Sequence, residues 1–169
     1  MLFIMKPKVA ILMGSDSDFP VMERSVALLK EFGVGVEVRV LSAHRTPDET
    51  REFVRRAPGR GIKVFIAAAG GAAHLAGAVA AQTTCPVIGV PIASTEMQGI
   101  DALHATVQMP PGVPVATVAI GKFGAVNAAL LAVQILAVSD KKLQKRLKGY
   151  KLRTAARVKK ADRMLQKKL

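Results

Sequence analysis

The sequence is short of several things, and each shortage excludes a class of protein. Cysteine occurs once, at Cys85, so no intrachain disulfide can form and no cysteine-based zinc site can be assembled. A cytoplasmic setting is the expectation. Tryptophan is absent and aromatic residues make up only 4% of the chain, too few for a platform on which nucleic-acid bases would stack. The opening stretch, Met1 to Pro7, has no basic segment ahead of its apolar residues, no apolar core of signal length and no cleavage site; it reads as a tail, with Met5 an alternative start. Charged residues are missing from Val64 to Thr95 and from Phe123 to Ser139. Neither stretch is a membrane span. The first is broken by Gly70, Gly71, Gly77, Pro86, Gly89 and Pro91, and the second falls short of the roughly 20 apolar residues that cross a bilayer. Acids are scarce at one end only. From Ser139 onward 13 Lys and Arg face two acids, Asp140 and Asp162, whereas residues 1–138 carry 12 bases and 10 acids. The formal charge of +13 therefore belongs to the tail, and the body is nearly neutral.

What remains is a chain of 169 residues, half of them apolar, which suits one compact domain. Short apolar runs alternate with helical patterns. Lys8–Met13 (KVAILM) precedes Phe19–Phe32, whose Val21, Met22, Val26, Leu29 and Phe32 share helical spacing. Gly35–Leu41 alternates apolar and charged residues, and Thr46-Pro47-Asp48-Glu49 follows as a helix start. Lys63–Ala69 leads through paired glycines into the small-residue segment Ala72–Gln82, and Pro86–Val90 and Val113–Ile120 supply strands four and five. Strands alternating with helices predict a three-layer αβα sandwich on a mainly parallel five-stranded sheet, flavodoxin-like or Rossmann-like. The segment from Gly124 to Val138 is apolar nearly all round, with only Asn127 and Gln134 polar. One sheet face cannot bury such a helix, so a homo-oligomer is expected. A long C-terminal helix over 140–169 follows, with Leu143, Leu147, Tyr150, Val158, Ala161 and Leu165 on one stripe and bases on the other faces. A docked helix with a solvated basic face accounts for this more simply than a nucleic-acid arm, because no helix-turn-helix or zinc module accompanies it. The division expected is 1–139 for the α/β domain and 140–169 for a basic helix of the same domain.

In parallel sheets ligands bind beyond the carboxyl ends of the strands, which directs attention to three loops. After strand one comes Gly14-Ser15-Asp16-Ser17-Asp18. Ser15, Ser17 and free amides at the next helix could hold a phosphate, and Asp16 or Asp18 could accept hydrogen bonds from ribose hydroxyls. A plain capping loop explains this segment equally well. After strand two, Ser42-Ala43-His44-Arg45-Thr46-Pro47 joins a hydroxyl, an imidazole able to move protons near neutral pH and a guanidinium suited to phosphate. After strand three, Gly70-Gly71 lets backbone amides approach a ligand unobstructed, while His74 either faces the pocket or fills a turn. There is no Walker A motif at Gly121-Lys122, where Ala116 replaces the first glycine and Phe123 the hydroxyl residue, and no GxGxxG.

Together, MGSDSD (Met13–Asp18), SAHRTP (Ser42–Pro47), AGGAAHL (Ala69–Leu75), IGVP (Ile88–Pro91) and the run Val107–Ala132, in this order, resemble the class I N5-carboxyaminoimidazole ribonucleotide mutases of purine biosynthesis. The resemblance implies transfer of a carboxylate from the exocyclic nitrogen to carbon 4 of an aminoimidazole ribonucleotide, with no cofactor and no metal. It implies that His44 is the general acid and base. Ser42 and Arg45 match phosphate positions, Ser15 a nucleotide-binding position and Asp18 a ribose contact, while Gly70, Gly71, His74 and Leu75 match the loop enclosing the carboxylate or carbon dioxide. It further implies a homo-octamer in which the C-terminal helix reaches a neighbouring subunit. His44-Arg45 with AGGAAHL resembles class I rather than the class II enzymes that carboxylate aminoimidazole ribonucleotide directly. The chain departs from the family pattern at Ala76, where proline is common, at Ala68, where glycine is usual, and over Ser94–Gly99. Proline replaced by alanine restores backbone freedom, which bears on how well carbon dioxide is retained. The partner expected is a small ribonucleotide, without membrane or nucleic acid.

Overall fold

The computed structural model describes residues 6–169; the tail read over Met1–Met5 lies outside the described residues. The chain forms two compact units, one running to Ala132 and the other from Val133 to Leu169. In the first, strands β1 (Pro7–Met13), β2 (Gly35–Val40), β3 (Val64–Gly70), β4 (Val87–Ile92) and β5 (Ala116–Thr117) form one sheet in the order β2-β1-β3-β4-β5. Every pairing is parallel. This is the flavodoxin-like order, in which the chain reverses direction across the sheet between β1 and β3.

The connecting helices are α1 (Phe19–Glu31), α2 (Pro47–Arg60), α3 (Leu75–Ala80) and α4 (Ile100–Val107), and α5 (Gly121–Ala137) follows β5. Alternation along β1 assigns the layers. Ala10 and Leu12 join Phe65 and Ala67 of β3 in a core with Phe53, Val54 and Ala57 of α2 and Leu75, Ala76 and Val79 of α3. The opposite face receives α1, whose buried Ser25 donates from Oγ to the carbonyl of Ala125 in α5 at 2.5 Å. Helix α2 starts where Thr46-Pro47 predicts, with Pro47 in its first turn and Asp48 and Glu49 beside the positive end of its dipole. It stops at Gly61, whose φ of 110° suits glycine.

One expectation is modified. The fifth strand, expected over Val113–Ile120, is only two residues long, pairing Ile88 with Ala116 and Gly89 with Thr117. Pro114 has no N–H to give a ladder, and an edge strand has a partner on one side only. In the second unit, α6 (Lys141–Gln166) begins at Asp140, whose side chain accepts from the amides of Lys142 and Leu143 at 2.9 and 3.1 Å. Its apolar stripe is covered only at the start. Leu143 is buried and Leu147 and Tyr150 half-buried, but Val158 and Leu165 are 66% and 56% exposed.

Along Gly121–Ala132 the small residues are inside. Ala125, Ala128, Ala129 and Ala132 are fully buried, while Val126, Leu130 and Leu131 are partly exposed and Phe123 is 81% exposed. Alanines let the helix approach the sheet closely, and its large apolar side chains are left facing outward. Among the described residues no helix is long and apolar enough to cross a membrane.

Candidate active site

The first three strands end side by side, and the loops leaving them enclose a cavity of about 370 Å³. Ser15, Asp18, Ser42, His44, Arg45, Gly70, His74 and Leu75 all line it. Gly71 does not; it makes the turn between Gly70 and Ala72 with a left-handed φ of 59°, which a side chain would strain.

The loop after β1 is tied internally. Ser15 Oγ accepts from the amide of Ser17 at 3.3 Å and from its hydroxyl at 2.8 Å, and donates to Asp16 Oδ1 at 3.2 Å. Asp18 follows at the mouth of α1, and its side chain caps no amide. It is 5% exposed, and burial raises its carboxyl above the ordinary value. A backbone hydrogen bond from Ser15 and the charge of Arg45 oppose that rise without cancelling it. The result is a buried acid facing a cavity beside a fixed guanidinium.

The loop after β2 is held from beneath. Thr46 Oγ1 accepts from the Ser42 amide at 2.9 Å, and the Ser42 carbonyl accepts from the Thr46 amide at 3.0 Å and the Thr50 hydroxyl at 3.3 Å. Those bonds fix Ser42, whose Oγ in turn accepts from the Arg45 amide at 3.2 Å. Arg45 then reaches across to the first loop, donating from Nη2 to the Gly14 carbonyl at 2.6 Å. One edge of the guanidinium fork is thus used to set its direction, and other N–H groups remain for an anion.

The loop after β3 brings His74 to His44. Nε2 of His44 and Nδ1 of His74 are 2.6 Å apart, with the rings edge to face at 88°. Of the two positions open to His74 from sequence, pocket or turn, it takes both, for it lines the cavity and immediately precedes α3. Ala73 beside it has a positive φ of 45°, a conformation costly for a residue with a side chain. Of the two family departures in this region, Ala76 is buried in the α2–α3 core and Ala68 is fully buried in β3. Neither lines the cavity.

Ser94, noted from the sequence only as the start of the departing Ser94–Gly99 segment and not as a site residue, also lines the cavity. The signal was available: β4 lies beside β3, so the loop leaving it opens on the same rim. Among the described residues, no three His, Cys, Asp or Glu side chains are gathered as metal ligands would be.

Against known proteins, a family model described as AIR carboxylase matches residues 8–157. The chain is 56% identical over 143 residues to the N5-carboxyaminoimidazole ribonucleotide mutase of Bacillus subtilis, covering 85% of this chain and 88% of that protein. With the protein of the same name from Thermotoga maritima it shares 50% identity over 161 residues, 95% of this chain and 93% of the other. Among solved structures it is similar to PurE of Treponema denticola, with a TM-score of 0.85 and 31% identity over 94% of this chain and 98% of that one.

Proposed function

The chain belongs to the AIR carboxylase family, and on that premise we propose that it converts N5-carboxyaminoimidazole ribonucleotide to 4-carboxy-5-aminoimidazole ribonucleotide in purine biosynthesis. Identity of 50–56% over most of both chains to proteins named for that mutase supports the reading. The observation that carries it is the convergence of a buried acid, a directed guanidinium and a paired imidazole on one cavity of ribonucleotide size.

In this reading the substrate lies with its phosphate toward Arg45, Ser42 and Ser15 and its ribose toward Asp18. His44 protonates the exocyclic nitrogen as the carbon–nitrogen bond breaks, which frees carbon dioxide within the site. The ring's carbon 4 bonds to that carbon dioxide, and His44 removes the proton carbon 4 still carries, so the proton lent is recovered. Nothing is oxidised or reduced and no group is drawn from outside, so the balance calls for neither cofactor nor metal. The Gly70–Leu75 segment and His74 wall in the carbon dioxide, whose escape would leave a wasted decarboxylation.

The 2.6 Å contact between Nε2 of His44 and Nδ1 of His74 pairs one donor with one acceptor and orients the His44 ring at the cavity, which supports placing that imidazole beside the reacting atoms.

The working form is a homo-oligomer, an octamer in the cytoplasm, with α6 on a neighbouring subunit. The outward Val126, Leu130 and Leu131 of α5 support an assembly. The function is tested by following the ultraviolet absorbance of the 4-carboxylated product from two substrates. Rapid turnover of N5-carboxyaminoimidazole ribonucleotide at low bicarbonate, with little from aminoimidazole ribonucleotide, is the expected result. Efficient turnover of aminoimidazole ribonucleotide at low bicarbonate would instead make this a direct carboxylase.

A further inference from the structure

Ser94 follows β4 by two residues and reaches back over the end of β3. A Cβ placed on Gly70 would collide with Ser94 Oγ and lie 2.7 Å from Ser94 Cβ, so the serine occupies the space a side chain at Gly70 would need. The hydroxyl there is unused: among the described residues Ser94 makes no side-chain hydrogen bond. It lines the same cavity as His44 and His74 and lies against Gly70 of the glycine loop. A hydroxyl with a free proton beside bare backbone is suited to an anionic oxygen, because a charged acceptor gives a stronger bond than a neutral one.

We propose that Ser94 is a carboxylate-binding residue, donating from Oγ to an oxygen of the migrating carboxylate. This rests on the mutase reading above and extends it to a segment, Ser94–Gly99, in which the chain departs from the family pattern. The bond is present while the carboxylate is charged and weakens once carbon dioxide is free. Ser94 therefore discriminates between carboxylated and uncarboxylated ribonucleotides.

The test is calorimetric titration of the full chain with 4-carboxy-5-aminoimidazole ribonucleotide and, separately, with aminoimidazole ribonucleotide, which lacks the carboxylate. In Ser94→Ala the carboxylated ligand should bind about tenfold more weakly, the size of one hydrogen bond to a charged group, and the uncarboxylated one within about twofold of the unaltered protein. Ser94→Thr, which keeps the hydroxyl, should recover most of the difference. Equal weakening of both ligands would reduce Ser94 to a packing role, and no weakening of either would remove it from the site; both outcomes overturn the proposal. If the unaltered protein binds neither ribonucleotide, it is the mutase reading that fails, and the role of Ser94 falls with it.

Discussion

His44 and His74, thirty residues apart in sequence, share a 2.6 Å contact between ring nitrogens. Both are exposed to the cavity side of their loops and neither is part of the hydrophobic core. Replacing His44 should therefore alter chemistry and leave the fold alone. His44→Asn keeps a polar side chain of similar reach but cannot exchange a proton near neutral pH. Turnover of N5-carboxyaminoimidazole ribonucleotide should fall by roughly 10²–10⁴-fold, the range for loss of a general acid–base, while circular dichroism and melting temperature stay unchanged. Substantial residual turnover in a folded variant would dismiss the assignment.

Gly70 and Ser94 give a packing prediction independent of any ligand. In Gly70→Ala the new methyl group meets Ser94 Oγ, Ser94 Cβ at 2.7 Å and the Ile92 carbonyl at 3.0 Å. The serine can move but the carbonyl, in the β3–β4 ladder, cannot. Overpacking of this kind costs about 1–3 kcal/mol, to be read as a lower urea midpoint. Adding Ser94→Gly removes two of the three collisions, so the double variant should be more stable than Gly70→Ala alone. A double variant that is no better would show that the Ile92 carbonyl sets the whole cost.

Much of this arrangement is legible in the sequence because it is local. Thr46-Pro47 marks a helix start, apolar runs mark the buried strands, and the loops after the first three strands carry the polar chemistry. The parts that escaped are set by tertiary neighbours. The His44–His74 contact depends on β1 lying between β2 and β3, which brings loops distant in sequence across one cavity. Ser94 joins the rim because β4 lies beside β3, so its place depends on strand order and not on its own neighbours in sequence. The shortness of β5 reflects a sheet edge where Pro114 has no proton to offer. The stripe on α6 is real as a pattern, but a pattern states what a helix can bury and not how far it is covered, and past Tyr150 the residues are exposed.

Asp18 predicts a pH dependence of stability. Burial raises its carboxyl above the ordinary value near 3.8, so between that value and the raised one the folded state holds more proton than the unfolded state. Stability attributable to this group is greatest at low pH and falls as pH rises through that window. Asp18→Asn cannot ionise and escapes the loss. The variant's urea midpoint relative to the unaltered protein should be higher at pH 7 than at pH 4. A difference that is the same at both values would mean that burial of the charge has no energetic consequence. Gains of this sort at a site are commonly set against function, and weaker ribonucleotide binding should accompany the added stability.

The inversion over Gly121–Ala132 of α5, alanines in and larger apolar groups out, predicts the state of the protein in solution. Ala125, Ala128 and Ala129 need close approach to the sheet, and that approach leaves Val126, Leu130 and Leu131 partly in water. Covering those three with another copy removes apolar area at about 25 cal/mol per Å², repeated at every equivalent contact of a closed assembly. Light scattering should give a multiple of the monomer mass, with eight copies the expected number. Leu130→Asp puts a charge into that contact without touching the buried alanine face. It should lower the assembly's mass while helical content is retained. If the unaltered chain is a monomer across the micromolar range, the outward apolar face has some other occupant and the oligomer is excluded. If it is an assembly that Leu130→Asp leaves intact, α5 lies outside the interface and the contact must be sought on other faces of the chain.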